Sequence, residues 1–315
     1  MTDIVAAVDC GTNSIRLLVA RAGDGGLIDL HREMRVVRLG QGVDATGSFA
    51  EEAIERTRVA LADYVTIMQS HGVGAVRMVA TSATRDAANR DEFFAMTREL
   101  LGALVPGAMA EVISGDEEAR LSFAGAVGDL DPAEGPFVVV DLGGGSTEVV
   151  MGDADGVHAA YSANVGCVRL TERCLHSDPP TDAEIDDATD MIKDLLGEAF
   201  SHVDINGAKT FVGVAGTMTT LAALAAEMPE YDSELIHLSR ISFEDLSKVC
   251  SDLVRMPRVQ RAALGPMHPG RVDVIGGGSL VTLELAHMIG ARTGITDLVV
   301  SEHDILDGIA LSLLD

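Results

Sequence analysis

Apolar residues fall into two kinds of pattern along this chain: short β-branched runs that read as buried strands, and longer stretches with helical spacing. Runs at 4–8 and 137–140 are each closed by an Asp and a glycine-rich turn, and each turn leads into a second apolar run, at 15–19 or 149–151. The first turn is Asp9-Cys10-Gly11-Thr12-Asn13-Ser14. The second is Asp141-Leu142-Gly143-Gly144-Gly145-Ser146-Thr147-Glu148. Strands are expected over 3–9, 14–20 and 26–31. A helix follows over 49–71, with apolar positions Ala53, Ile54, Val59, Leu61, Tyr64 and Ile67. A strand over 76–80, a helix over 89–104, a short strand over 109–113 and a helix over 116–127 complete the first half. The polar, breaker-rich segment 128–136 is the expected connector.

The second half repeats the opening, with strands over 137–141, 146–151 and 157–163. Thr181 is a helix N-cap with acids in the first turn of a helix over 181–200. A strand over 211–214, a helix over 217–227, a strand over 298–301 and a final helix over 304–314 follow. Two halves that begin alike predict duplicated α/β lobes with a cleft between them. Lobe I spans 1–128, with the C-terminal segment 303–315 as a candidate addition, and lobe II spans 135–302.

Length and composition narrow the classes. A chain of 315 residues, 47% hydrophobic, is long enough for two cores and too apolar to be disordered. No apolar run is long enough to span a bilayer, and Met1-Thr2-Asp3 lacks the basic stretch of a signal peptide. Cys10, Cys167, Cys174 and Cys250 are scattered. They read as reduced thiols in a cytoplasmic protein and offer no zinc site. The nine histidines show no ligand spacing and read as structural or exposed. A net charge of −26 excludes a non-specific nucleic-acid binder. Phosphate binding is not excluded, because backbone dipoles, a few arginines and a divalent metal decide it locally.

The two turns carry the candidate chemistry. Glycines at a strand–turn–strand bend let backbone N–H groups approach an anion closely. Two such units suggest two lobes gripping one phosphate chain. The alternative is that glycine only permits positive φ in a tight hairpin. An Asp heading both turns favours ligand binding.

The pattern resembles the actin-like (ribonuclease H-like) ATPase fold shared by sugar kinases, Hsp70-type chaperones and acetate kinases. It is more closely similar to the exopolyphosphatase/guanosine pentaphosphate phosphohydrolase (Ppx/GppA) family. Six segments carry that likeness: DCGTNSIRLLV at 9–19, ATSATRDAANR at 80–90, VISGDEEARLSFAGA at 112–126, DLGGGSTEVV at 141–150, GVAGTMTTLAAL at 213–224 and RVDVIGGG at 271–278. Long members of the family add a helical C-terminal region with an HD-type domain, so this chain looks like a short form. Where the family usually has Asp-x-Gly-Ser-Asn-Ser, this chain has Thr12 and keeps the hydroxyl.

The resemblance implies hydrolysis of a terminal phosphoanhydride, with orthophosphate released. Phosphate donors are then the backbone and hydroxyls of Gly11, Thr12, Asn13, Ser14, Gly143, Gly144, Gly145, Ser146 and Thr147. Carboxylates beside a polyanion need a cation. Asp141 and Glu148, with Asp9, are the candidate ligands of Mg²⁺, with Mn²⁺ not distinguished from it. An Asp that merely caps its own turn is the alternative. Glu118 matches the family's catalytic glutamate and would orient or deprotonate the attacking water, while Glu117 would only complement the helix dipole. Arg85 could clamp a phosphate or form a surface ion pair, and Arg16 follows the first turn. Gly213, Gly216 and Thr217 fall where actin-like ATPases contact a nucleotide, and Gly216-Thr217 could also be a bare helix N-terminus.

The expected substrate is inorganic polyphosphate. Guanosine pentaphosphate is the alternative, since the same residues would serve either. Retention of Glu118, Asp141 and Glu148 disfavours a non-catalytic alarmone or polyphosphate sensor. The 115–118 segment matches the hydrolase pattern and not a sugar or acid kinase of the same fold. Neither nucleic acid nor membrane is an expected partner, and the resemblance implies a homodimer.

Overall fold

The computed structural model describes residues 4–23 and 26–314. In chain order its elements begin with β1 (Ile4–Cys10), β2 (Ser14–Gly23), β3 (Gly26–Val36), α1 (Val43–Thr46), α2 (Glu51–His71), β4 (Ala75–Ala80), α3 (Ser82–Asp86), α4 (Arg90–Gly102), β5 (Ala110–Val112) and α5 (Gly115–Val127). After a 3₁₀ turn at Pro132–Glu134 come β6 (Phe137–Leu142), β7 (Thr147–Asp153), β8 (Gly156–Ala163), α6 (Cys167–Cys174), α7 (Asp182–His202), β9 (Thr210–Val214) and α8 (Ala215–Ala225). The chain closes with α9 (Ser233–Ile236), β10 (Ser239–Ser242), α10 (Phe243–Arg255), α11 (Arg258–Arg261), α12 (Ile275–Thr293), β11 (Asp297–Val300) and α13 (Ile305–Leu311). Two compact units result. Unit 1 is Met1–Gly128 with Ile305–Asp315, and unit 2 is Asp129–Asp304.

Among the described residues, unit 1 holds a five-stranded sheet in the order β3-β2-β1-β4-β5, and unit 2 a six-stranded sheet in the order β10-β11-β9-β6-β7-β8. In both, a three-strand antiparallel meander is followed by strands parallel to its first member: β1, β4 and β5 in unit 1, and β6, β9 and β11 in unit 2. Unit 2 adds β10 as an antiparallel edge. The fold is α/β, with the same meander-plus-parallel-strand arrangement present in both units.

Burial explains why the first strand is a continuous apolar run and not an alternating one. Ala6, Val8 and Cys10 pack with Ile15, Leu17 and Tyr64 on one face of the unit 1 sheet. Val5 and Ala7 face Leu121, Ile305 and Ile309 on the other. A strand covered on both faces has no polar side to show. α13 belongs to this second face. Its approach to α5 is so close that a Cβ on Gly308 would lie 2.0 Å from the Leu121 carbonyl oxygen.

Local signals place most helix ends. α7 begins with a capping box: Thr181 accepts from the Glu184 N–H, and Glu184 accepts from the Thr181 N–H. α2 ends at Gly72 in the left-handed region, at φ 68°. It begins at Glu51 and not at 49, and Val59, an expected apolar position, is 48% exposed. The helix expected over 217–227 starts earlier, at Ala215, and ends at Ala225. α6, α10 and α12 had no counterpart among the sequence expectations. Among the described residues no helix is long and apolar enough to cross a membrane.

Candidate functional site

In unit 1 the candidate residues follow the carboxyl ends of three neighbouring parallel strands, where ligands of open α/β sheets bind. β1 ends in Asp9 and Cys10, β4 leads into Thr81 and α3, and β5 leads into Ser114 and α5. The β1–β2 turn closes with the Gly11 N–H donating to the Ser14 carbonyl at 3.0 Å. Its inner carbonyls are held from behind. Thr12 accepts from the Gly40 N–H, and Asn13 accepts from Val37 and Arg38. Gly40 must lack a side chain, because a Cβ there would meet Thr12 Cγ2 at 2.4 Å.

Asp9 is 5% exposed and faces Arg16 across the hairpin. Arg16 donates Nε (2.9 Å) and Nη2 (2.7 Å) to Asp9 Oδ2. Arg16 thus places a positive charge beside Asp9 Oδ2. Glu118 is 7% exposed in the first turn of α5, where Ser114 caps the helix. Arg85 Nη1 donates to Glu118 Oε2 at 2.7 Å and to the Ile113 carbonyl at 3.1 Å. Arg85 is thus not a surface ion pair; through Nη1 it holds the glutamate. Glu117 does more than complement the helix dipole, since it accepts from Arg77 Nη2.

Unit 2 repeats the hairpin. The Gly143 N–H donates to the Ser146 carbonyl at 3.1 Å. The carbonyls of Gly143 and Gly144 are held from behind by N–H groups of Cys167, Val168 and Arg169, at the start of α6. A Cβ on Gly166 would lie 2.5 Å from the Gly144 carbonyl. Neither Gly11 nor Gly143 has a positive φ, so left-handed backbone is not the reason for glycine there.

Asp141 faces Glu148 across this hairpin, and Glu148 faces Ser162 on β8. Ser162 Oγ donates to Glu148 Oε1 at 2.7 Å. Asp141 and Glu148 are 7% and 1% exposed. Two buried carboxylates on one side of a sheet repel one another when both are ionised. Their hard oxygen donors suit Mg²⁺, which takes one or two carboxylates and completes its shell with water and phosphate oxygens.

On the neighbouring parallel strand, Asp141 is level with Val214, the residue before α8. Ala215 opens that helix at φ 71°, a left-handed conformation that costs a non-glycine residue ~1–3 kcal/mol and gathers at functional sites. Arg271 lies over the same helix end. Its Nη1 donates to Thr220 Oγ1 at 2.9 Å, and a Cβ on Gly216 would meet its Nη2 at 2.3 Å. A guanidinium at a helix N-terminus adds one positive pole to another, an arrangement suited to an anion. Arg271 opens the quoted RVDVIGGG segment, but nothing in its spacing revealed that it folds back on α8. The glycines of that segment serve packing: a Cβ on Gly277 would meet Thr171 Oγ1 at 2.5 Å, and one on Gly278 would meet Thr217 Cγ2 at 2.7 Å.

Three expected contacts are revised. Thr147 is fully buried and donates its single hydroxyl proton to the Val165 carbonyl at 2.5 Å, so it has none for a phosphate. Thr217 is buried and turned toward Gly278 and Cys167, whereas Gly216 is half-buried under Arg271. Gly213 is packed within the sheet against Leu298 and Met218. The cysteines beside the turns are protonated thiols. Burial, then the Asp9 charge, pushes Cys10 far up. Burial pushes Cys167 up to about 11 against the lowering contact of Thr217. Thiolate chemistry is excluded at both.

The chain matches the Ppx/GppA phosphatase family over residues 18–313. It is 62% identical over 313 residues to a Mycobacterium tuberculosis protein named Exopolyphosphatase 2, covering 98% of each chain. The crystal structure of an exopolyphosphatase-like protein superposes with a TM-score of 0.92 at 44% identity, covering 98% of this chain and 97% of that one. The Aquifex aeolicus Ppx/GppA family member superposes at 0.81 with 30% identity, covering 99% and 97%. This chain belongs to the Ppx/GppA phosphatase family.

Proposed function

We propose that the chain is an exopolyphosphatase that hydrolyses the terminal phosphoanhydride of inorganic polyphosphate and releases orthophosphate. The observation that carries this reading is the buried Asp141–Glu148 pair beside a glycine turn. A cation held by two carboxylates neutralises a phosphate chain, and the turn orients it.

Unit 2 then handles the phosphate. Asp141 and Glu148 would hold Mg²⁺, or Mn²⁺ in its place, and the ion would supply charge neutralisation at the phosphate oxygens. Backbone N–H groups of Gly144 and Gly145, with the Ser146 hydroxyl, position the terminal group. Gly216 and Arg271 take oxygens further along the chain. Within unit 1, Thr12, Asn13 and Ser14 are assigned as phosphate donors, and Glu118 is assigned to orient a water and accept its proton. Arg85 fixes the Glu118 carboxylate in one rotamer. Asp9, matched by Arg16, is assigned to shaping the turn and not to the metal.

Phosphate release from short polyphosphate, long polyphosphate and guanosine pentaphosphate, each with Mg²⁺ and after chelation, tests the proposal. Metal-dependent release from polyphosphate is expected. Release from the nucleotide alone would reassign the substrate, and binding without release from any of the three would make the chain a sensor.

A further inference from the structure

At the carboxyl end of β11, unit 2 gathers three side chains that phosphate hydrolysis does not use. Among the described residues, Asp129, His237 and His303 each bring one donor atom within 4.8 Å of the others. His303 Nδ1 lies 2.6 Å from Asp129 Oδ2, and His237 Nε2 lies 3.4 Å from the same oxygen. The two imidazole rings are 4.5 Å apart between centroids. We propose that this cluster is a transition-metal site, taking Zn²⁺ or a similar ion through His237 Nε2, His303 Nδ1 and Asp129 Oδ2.

The donor chemistry separates this site from the Asp141–Glu148 pair. Imidazole nitrogens suit Zn, Cu, Fe and Ni, whereas Mg²⁺ prefers an all-oxygen shell. Two neutral imidazoles and one carboxylate leave a coordination position for water, as in an open zinc site. Zinc–nitrogen and zinc–oxygen bonds of about 2.0–2.2 Å place tetrahedral ligand atoms roughly 3.3 Å from one another. The 3.4 Å pair already has that spacing. The 2.6 Å pair has hydrogen-bond spacing, so an ion replaces the shared proton and opens it by less than ~1 Å.

The scaffold holds the ligands in place. The Leu238 N–H donates to the Val300 carbonyl at 2.7 Å, which pins the His237 backbone to the end of β11. Ser301 Oγ donates to the His303 carbonyl at 2.8 Å and accepts from the His303 N–H at 3.1 Å. Such ties on a rigid strand end reduce what an ion must order. Asp129 and His303 have side chains 46% and 37% exposed, so an ion reaches them from solvent. One contact opposes binding. The Glu302 N–H donates to His237 Nδ1 at 3.3 Å, which places the ring proton on Nε2. An ion at Nε2 moves that proton to Nδ1 and ends this long hydrogen bond.

Because Asp129 is the first residue of unit 2 and His303 the last but one, the ion would tie the start of that unit to its end. The test is a Co²⁺ titration of the full chain, stripped of metal and then held in excess Mg²⁺. One equivalent of Co²⁺ is expected to bind, with the visible absorption of a low-coordinate ion, to be displaced by Zn²⁺, and to raise the Tm. Affinity should fall by about tenfold or more in His303→Ala and in Asp129→Asn, and stay unchanged in Asp141→Asn. Absence of the band in wild-type protein, or a band that survives both His303→Ala and His237→Ala, would overturn the proposal. So would a band lost in Asp141→Asn and kept in the histidine variants.

Discussion

Arg16 and Glu148 occupy the same place in two copies of one hairpin, the first opposite Asp9 and the second opposite Asp141. One hairpin sets an arginine opposite its Asp, and the other sets a glutamate there. The two substitutions should therefore act in opposite ways. Breaking a buried ion pair costs ~3–5 kcal/mol, and because the Arg16 side chain is one-fifth exposed, Arg16→Ala should cost about 3 kcal/mol, whether or not Mg²⁺ is present. Glu148→Gln relieves repulsion between like charges, so the metal-free protein should melt no lower than wild type. Its stabilisation by Mg²⁺, and that of Asp141→Asn, should be strongly reduced. Thermal melts with and without Mg²⁺ decide this. An unaltered metal response in both carboxylate variants would remove the pair from the metal site.

Glu118 and Arg85 should separate by the size of their effects. Glu118→Gln keeps the shape and removes the proton acceptor, so turnover should fall by about 10²-fold or more while polyphosphate binding persists. Arg85→Ala leaves the carboxylate in place but no longer fixed. It should lower kcat less than Glu118→Gln, and Arg85→Lys should recover only part, since lysine lacks the planar fork. Steady-state release of orthophosphate reads both. Wild-type turnover in Glu118→Gln would end its assignment.

Gly166→Ala tests the pinning of the second turn from behind. The new Cβ would overlap the Gly144 carbonyl, so the turn or α6 must move. Overpacking of this kind costs ~1–3 kcal/mol. Activity should fall more than stability, because the displaced segment includes the phosphate donors. A variant with lowered Tm and full activity would show that the turn tolerates displacement.

The capping box of α7 makes a prediction in acid. The backbone N–H of Thr181, then contacts from His176 and Ser177, hold the Glu184 carboxyl down at about 2, below its ordinary 4.5. A depressed carboxylate favours the folded state at pH values above 4.5, and that contribution disappears as the pH falls toward 2. An NMR titration of the Glu184 side chain should show a midpoint near 2 while α7 remains folded. A midpoint near 4.5 would mean that the cap is not formed in solution.

What could be read from sequence was what adjacent residues decide. The β1–β2 and β6–β7 hairpins and the Thr181 cap depend on neighbours a few positions apart. The Asp9–Arg16 pair was within reach too, since hairpin register places them opposite each other, yet the two residues were read separately. Contacts made at long range were not legible. Arg271 reaches α8 from a distant segment, Gly166 packs on Gly144 through a loop, and Thr147 turns its hydroxyl inward because β7 is covered on that side. The histidines were passed over for the same reason. His237 and His303 lack ligand spacing along the chain, and only the end of β11 brings them to Asp129. Val59 fits a helical apolar pattern, but the helix has more apolar positions than its buried face can use.

The last helix has a consequence for how the protein is made. Unit 2 is contiguous, so every strand of its sheet has been translated once β11 leaves the ribosome. Unit 1 is translated first and must wait. One face of its sheet is covered only by residues such as Ile113 and Leu121 until Ile305, Leu306 and Ile309 arrive over Val5, Ala7 and Leu18. A nascent chain halted anywhere before α13 therefore carries a partly exposed apolar sheet for nearly the whole of its synthesis. The few residues of α13 decide when that surface stops being a target for chaperones and proteases.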